Sequence, residues 1–299
     1  MKIAVTGATG FLGRSLVSIL AERGHTCRCW YRMQSDRGGF DAASRAIEWV
    51  PGSLRDPGSE SALLQGCDAL VHAALDRPGS GFIGAEGDLL SFAEANLMGS
   101  LRLFQAAERA GVARVVFVST CAVYETILDD RPLDETHPLW PGSHYGAHKA
   151  ALEAFVHSFS GRGLPICSVR PTGIYGLARP IEQSKWYELI RELVQGRDVN
   201  VRRGGKEVHV IDVARAVALL LDAPAGQVTG QSFNCYDSYV SEYDVAMIAR
   251  DAGAPGRVIG EPPRPKHQIE TGKLRSLGMT FGGRPQLEEY VRAIVAGFR

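Results

Sequence analysis

TGATGFLG, residues 6–13, follows the apolar run MKIAV (1–5) and sets a glycine-rich turn between a first strand and a first helix. Gly7 permits the tight turn, Gly10 lets the backbone approach an anion, and Gly13 lets the following helix pack close to the strand. The amides and the positive dipole end of that helix face the same point, so the stretch reads as a cradle for the pyrophosphate of a dinucleotide.

Outward from this turn, short apolar runs alternate with helical patterns. Candidate strands are 2–6, 27–31, 47–50, 69–73, 114–119, 166–170 and 232–235, with helical stretches notably at 12–23, 89–110 and 143–160. Repeated βα units imply an α/β fold with a parallel, doubly wound sheet. Ligands of such sheets collect at the carboxyl ends of the strands, which brings the glycine turn, His72 to Ala74 and Thr120 to one crevice. The chain leaves this core twice. Residues 1–176 and 205–235 form the dinucleotide-binding domain in this reading, and 177–204 with 236–299 form a smaller, discontinuous lobe.

A second constellation, YGAHK at 145–149, lies 25 residues beyond VST at 118–120. Tyr145 and Lys149 are four apart, which stacks them on one helix face. Leu152, Phe155, Val156 and Phe159 supply an apolar stripe to the same helix. An ammonium beside the phenol favours the phenolate and makes the tyrosine usable as an acid or base near neutrality.

The two motifs in this order resemble the extended short-chain dehydrogenase/reductase family, in particular its NAD(P)-dependent epimerase/dehydratase branch. The resemblance runs the whole chain through GSLRD (52–56), DALVHAA (68–74), ANLMGS (95–100), VSTCAVYE (118–125), RPTGIYG (170–176), VHVIDVARAV (208–217) and KLRSLGMTF (273–281). It implies a Rossmann-type sheet with a C-terminal substrate lobe. It also implies that Thr120 hydrogen-bonds the reacting oxygen, that Tyr145 is the acid/base, and that Lys149 orients the nicotinamide ribose. Cofactor contacts are implied for Gly7, Thr9, Gly10, Phe11, Leu12, Arg32, Asp56, Ala73, Ala74, Asn96, Tyr145, Lys149 and Pro171, with Asp56 near the adenine although Ser53 replaces the usual first acid. A homodimer built on helices 89–110 and 143–160 is implied as well.

Charge bears on the choice of cofactor. An NAD site usually places an acid at the end of the second strand, some 20 residues past the turn, for the ribose 2′-hydroxyl. Trp30, Tyr31 and Arg32 stand there, so NADP(H) is expected, with Arg14 and Arg37 as helpers. The alternative is that Arg32 is a solvated strand end.

Departures from the family pattern narrow the reaction. Cys121 and Ala122 follow Thr120 where 4,6-dehydratases carry Asp-Glu, which sets dehydration aside. Gly205, Lys206 and Glu207 precede VHVIDVA where many nucleotide-sugar epimerases place a diphosphate-clasping arginine. Three readings remain: an epimerase-like oxidoreductase acting by hydride transfer on a sugar or sugar-nucleotide carbinol or carbonyl, an NADPH-dependent carbonyl reductase, and a dinucleotide-binding protein without chemistry. The intact Thr120, Tyr145 and Lys149 speak against the third. His144 and His148 read as ordinary helix positions rather than metal ligands, Asp212 as the cap of the helix DVARAVALLL, and Trp186 with Tyr187 as core.

Bulk properties fit. The 299 residues are 45% hydrophobic with formal net charge zero, which supports a large core and gives no global attraction for nucleic acid or an anionic membrane. No run approaches the roughly 18 apolar residues of a membrane span, and six cysteines show no C-x-x-C spacing. A cytoplasmic protein with a small-molecule substrate is expected.

Overall fold

A computed structural model describes residues 1–77, 84 and 86–298. Positions 78–83, 85 and 299, within the segments assigned above, lie outside the described residues. Twelve strands and eleven α-helices follow one another among the described residues: β1 (Lys2–Thr6), α1 (Phe11–Glu22), β2 (Thr26–Tyr31), β3 (Ile47–Pro51), α2 (Ser59–Leu64), β4 (Ala69–His72), α3 (Leu89–Ala93), α4 (Gly99–Ala110), β5 (Arg114–Val118), α5 (His144–Gly161), β6 (Ile166–Pro171), β7 (Gly173–Tyr175), α6 (Tyr187–Val194), β8 (Val199–Asn200), β9 (Gly204–His209), α7 (Val210–Asp222), α8 (Ala225–Val228), β10 (Ser232–Cys235), β11 (Ser238–Ser241), α9 (Glu242–Asp251), β12 (Val258–Ile259), α10 (Gly272–Ser276) and α11 (Gly283–Ala296).

The chain divides into two compact units. The first comprises Met1–Pro171, Ala214–Cys235 and Glu270–Met279; the second comprises Thr172–Val213, Tyr236–Ile269 and Thr280–Arg299. Residues 205–213 thus pack with the second unit and 270–279 with the first, where the sequence reading drew its boundaries at 176, 205 and 235.

A seven-stranded sheet in the order β10-β6-β5-β4-β1-β2-β3, parallel throughout, forms the centre of the first unit. The order reverses between β1 and β4, so the carboxyl ends of those strands open a crevice. Strands buried on both faces read as continuous apolar runs, and all five residues of β5 are buried. On one face Phe104 of α4 stands edge-on to Phe117 of β5 and Phe159 of α5, with centroids 5.7 and 5.8 Å away.

Ser143 starts α5 by accepting the Gly146 N–H at 3.1 Å. Leu152, Val156 and Phe159 turn inward, but Phe155 does not: it is 39% exposed, one position off the buried stripe. The expected helix over 89–110 carries a π-helical turn at Glu94–Met98. One extra residue per turn there re-aims Asn96, which the site uses.

The second unit has a three-stranded sheet, β11-β9-β7, and a two-stranded one, β12-β8. Its core joins Tyr175, Ile190, Leu193, Val245, Ile248, Tyr290, Val291 and Ile294, with Trp186 and Tyr187 packed partly buried against it. Asp212 is not the cap of α7, which starts two residues earlier; its carboxylate instead accepts the Gly282 N–H at 2.9 Å. The His209 ring, at the capping position, takes the Ile211 N–H through Nδ1 at 3.3 Å.

Candidate active site

The cradle is built on backbone. Gly7 holds φ at +74°, and a Cβ there would come within 2.8 Å of the Ala73 backbone. A Cβ on Gly13 would lie 1.9 Å from Gly7 O, so only glycine lets α1 approach β1 this closely. At Gly10 a Cβ would meet Gly7 O alone, at 3.2 Å, leaving that side of the exposed turn open. Thr9, Phe11 and Leu12 are half-buried around it. Helix α1 begins with neither a side-chain cap nor an acid in its first turn, so its leading N–H groups are left to an anion. These residues fit the pyrophosphate of a dinucleotide.

Behind the cradle a buried chain of hydrogen bonds sets the end of β4. Thr6 Oγ1 accepts the N–H groups of Ala73 and Ala74, each at 3.2 Å, and shares a 2.7 Å bond with His72 Nδ1. With its lone pairs taken, the threonine donates its proton to Nδ1, which leaves Nε2–H to face Ser100 Oγ at 2.8 Å. Ser100 passes its own proton to Asn96 O. Burial pushes the His72 imidazole down to about 3, so it stays neutral.

Asn96 is 1% exposed and grips the next loop from both sides. Its Oδ1 accepts the Asp76 N–H at 2.8 Å and its Nδ2 donates to Asp76 O at 2.8 Å. The Asp76 carboxylate in turn accepts Arg55 Nε and Nη2 at 3.0 and 2.7 Å and lies 3.9 Å from Arg32 Nη1. Glu86 accepts the Tyr145 N–H at the start of α5 at 3.1 Å. This clamp escaped the sequence reading, since its partners lie 20 to 59 residues apart.

Arg32 follows β2 with half its side chain exposed. Asp56 is exposed and bonded by Ser53 Oγ at 2.7 Å. Arg14 is not free to help at the ribose: it donates to Gly38 O and to the Asp36 backbone and carboxylate, and it stacks on Phe40. Arg37 lies over the Tyr31 ring at 4.3 Å. Pro171 closes β6, buried.

Thr120, Tyr145 and Lys149 come together where β5 ends and α5 begins. Thr120 Oγ1 accepts the Ala122 N–H at 3.1 Å, and its hydroxyl lies beside the Tyr145 phenol, where it favours the ionised form. Burial holds the phenol above its usual value, while Thr120 and the Arg77 guanidinium pull it back down. Lys149 lies differently from the expectation. Its Nζ donates to Val118 O at 2.8 Å and sits over the Phe117 ring, and the cation acting on Tyr145 is Arg77. Burial brings the Lys149 ammonium down to about 7, partly offset by the Glu153 carboxylate.

His144 is exposed, whereas His148 is buried against Phe92 and Tyr145 with its Nδ1 unpartnered. The two rings do not share a ligand position, and no group of three or more His, Cys, Asp or Glu among the described residues could hold a metal. None of the six cysteines is in a disulfide. No described helix is long and apolar enough to cross a membrane.

The sequence and the fold both have known relatives. A sequence model of the NAD dependent epimerase/dehydratase family matches residues 3–235. Sterol demethylase protein B of Methylococcus capsulatus is 35% identical over 59% of this chain and 52% of its own length. A 4-hydroxy-2-methyl-3-oxo-4-farnesyl-3,4-dihydroquinoline-1-oxide ketoreductase of Stigmatella aurantiaca is 30% identical over 76% of this chain and 67% of its own. The chain thus spans about half to two thirds of the length of these curated relatives. Among solved structures, the UDP-glucose 4-epimerase of Thermus thermophilus in complex with NAD superposes with a TM-score of 0.79 at 26% identity, covering 100% of this chain and 99% of that one.

Proposed function

The chain belongs to the NAD dependent epimerase/dehydratase family, within the extended short-chain dehydrogenases/reductases, and from that premise we propose that it is an oxidoreductase that exchanges a hydride between a nicotinamide dinucleotide and a secondary carbinol or its ketone. The observation that carries this reading is that Thr120, Tyr145 and Lys149 are all buried, with the Thr120 hydroxyl beside the Tyr145 phenol, in the unit that holds the glycine cradle. A bound nicotinamide would supply or accept the hydride. Tyr145 Oη gives a proton to the carbonyl oxygen during reduction and takes it from the carbinol during oxidation. Thr120 donates to the same oxygen and polarises it. Lys149 brings an ammonium to the ribose side, and the buried walls of the site exclude water. Gly7, Thr9, Gly10, Phe11 and Leu12 would receive the pyrophosphate, Asp56 the adenine, and Ala73, Ala74, Asn96 and Pro171 the body of the dinucleotide.

NADP(H) is the preferred cofactor in this reading. Arg32 and Arg55 flank the single carboxylate of Asp76, which leaves a net positive charge where a 2′-phosphate would lie. Arg32→Ala is expected to weaken NADPH binding about tenfold while changing NADH binding little. Equal losses for the two nucleotides would show Arg32 to be a solvated strand end.

Single hydride transfer, as in a carbonyl reductase, is favoured by the second unit. Gly205 stands at the place of the diphosphate-clasping arginine, and Glu207, two residues on, is buried and ion-paired to Lys185 at 2.6 Å. A retained hydride shuttle on a nucleotide sugar is the second reading, supported by the full-length likeness to the Thermus epimerase. Mass spectrometry of the nucleotide released from freshly purified protein separates them. A stoichiometric oxidised cofactor favours the shuttle, and an empty protein that binds NADPH reversibly favours the reductase. A homodimer through α4 and α5, where Met98 just before α4 and Phe155 on α5 are 44% and 39% exposed, is proposed as well. Sedimentation as a monomer at micromolar concentration would contradict it.

A further inference from the structure

Thr120 and Tyr145 reach the site from segments 25 residues apart, so their spacing is set by whatever joins those segments. Thr120 opens a short 3-10 turn, Cys121–Tyr124, which it caps by accepting the Ala122 N–H at 3.1 Å. Tyr124 anchors the other end of that turn. Its ring is buried, its hydroxyl accepts Arg170 Nη1 of β6, and the same hydroxyl donates to Asn234 Oδ1 of β10 at 3.0 Å. The turn is therefore fixed to two strands of the large sheet.

Glu125, the next residue, carries that hold across to α5. One carboxylate oxygen accepts the Gly142 N–H, and the other accepts the Ser143 hydroxyl at 2.9 Å. Ser143 is the N-cap of α5, and its Oγ in turn accepts the Gly146 N–H at 3.1 Å. A serine cap needs only its oxygen, and its proton can go to water. Here the proton goes to a charged acceptor that also takes the backbone N–H just outside the helix, which fixes the cap in one orientation.

Two further contacts run beside this bridge. The Thr126 N–H donates to Trp140 O at 3.0 Å. Gly146 lies so close to the turn that a Cβ there would come within 2.6 Å of Ala122 O. Tyr145 stands between Ser143 and Gly146, so its place on the helix is set by the turn that begins at Thr120. Glu125 and Gly142 are exposed, where water competes for each partner and such bonds add little to stability. What the bridge fixes is geometry, to which proton and hydride transfer are sensitive.

We propose that Glu125 is a positioning residue of the hydride-transfer site: its carboxylate fastens the N-cap of α5 to the turn that follows Thr120 and so holds the Tyr145 phenol beside the Thr120 hydroxyl. The proposal rests on reading Thr120 and Tyr145 as reacting groups, but its test reads the surroundings of the Tyr145 ring and not turnover.

The test is fluorine NMR of the full chain labelled with meta-fluorotyrosine. The chain has nine tyrosines, and the signal lost in Y145F is that of Tyr145. That signal is expected to move from its wild-type position in E125A, and also in S143A, which breaks the same bridge at its other end. E125Q is expected to leave it in place, because the amide oxygen still accepts the Gly142 N–H and the amide nitrogen donates to Ser143 Oγ. An unmoved Tyr145 signal in whichever of E125A and S143A folds, shown by near-ultraviolet circular dichroism, would overturn the proposal and leave Glu125 a surface partner of the cap. A signal moved equally by E125A and E125Q would overturn it too, since charge and not fastening would then be felt at the ring. Absence of hydride transfer by the wild type, with the signal displaced in E125A and kept in E125Q, would instead overturn the functional reading alone.

Discussion

A buried phenol must lose its proton against desolvation, and Thr120 and Arg77 offset part of that cost at Tyr145, whose pKa still stays above its usual value. Y145F removes the exchangeable proton and little else. NADPH affinity is therefore expected to stay within about threefold of wild type while turnover falls by about a thousandfold or more, as measured by steady-state kinetics. Lys149 carries a pH-dependent cost to stability. Unfolded, it holds its proton to about 10.5; folded, it holds it only to about 7. Between those values the unfolded chain binds more protons, so this group makes stability rise with pH across that window, and its full penalty is present below it. K149M should therefore be more stable than wild type by a margin that is larger at pH 6.5 than at pH 9.5, by at least about 1 kcal/mol in urea titrations. A margin that does not change with pH would place the wild-type proton elsewhere.

The turn between β1 and α1 is where element geometry limits substitution. In G13A the new Cβ falls 1.9 Å from Gly7 O and 2.7 Å from Ala8 Cα, both backbone atoms, so the turn must shift. Dinucleotide binding is expected to weaken by about tenfold or more, about 1.4 kcal/mol of distortion, at the low end of overpacking effects. G10A, with a single 3.2 Å approach, should bind better than G13A. F104A empties the ring cluster between α4, β5 and α5 and is expected to cost about 3–5 kcal/mol in chemical denaturation. Features set by local spacing were legible in the sequence: the glycine turn, the placing of Tyr145 and Lys149 on one buried helix face and the seven strands of the large sheet. Features closed by distant chain segments were not. Nothing near Arg14 tells that residues 36–38 fold back to engage it, and nothing near Lys149 tells that its ammonium turns to Val118 rather than toward Tyr145. Asp212 read as a cap because the apolar run after it looked like the helix, which in fact starts at Val210. Glu153 was open to the same spacing logic as Lys149, one turn on, but its partners Ser119, Arg170 and Ser232 come from three separate segments.

At the scale of the whole molecule, the two compact units separate tasks. The first carries the cradle and the reacting set on strand ends of one parallel sheet, while the second has its own core and the Glu207–Lys185 pair. Binding to the folded chain alone stabilises it by mass action, so NADPH at a hundred times its dissociation constant should raise stability by about 2.7 kcal/mol. NADH at the same concentration is expected to raise it less, and the difference to vanish in Arg32→Ala. The most direct measurement is transfer of deuterium from NADPH labelled at both C4 hydrogens into carbonyl compounds of a cell extract, followed by mass spectrometry with wild type and Y145F side by side. Deuterated product is expected with the wild type and none above background with Y145F, although both bind the nucleotide. Equal labelling by the two proteins, or none by a wild type that has bound NADPH, would contradict hydride transfer through Tyr145.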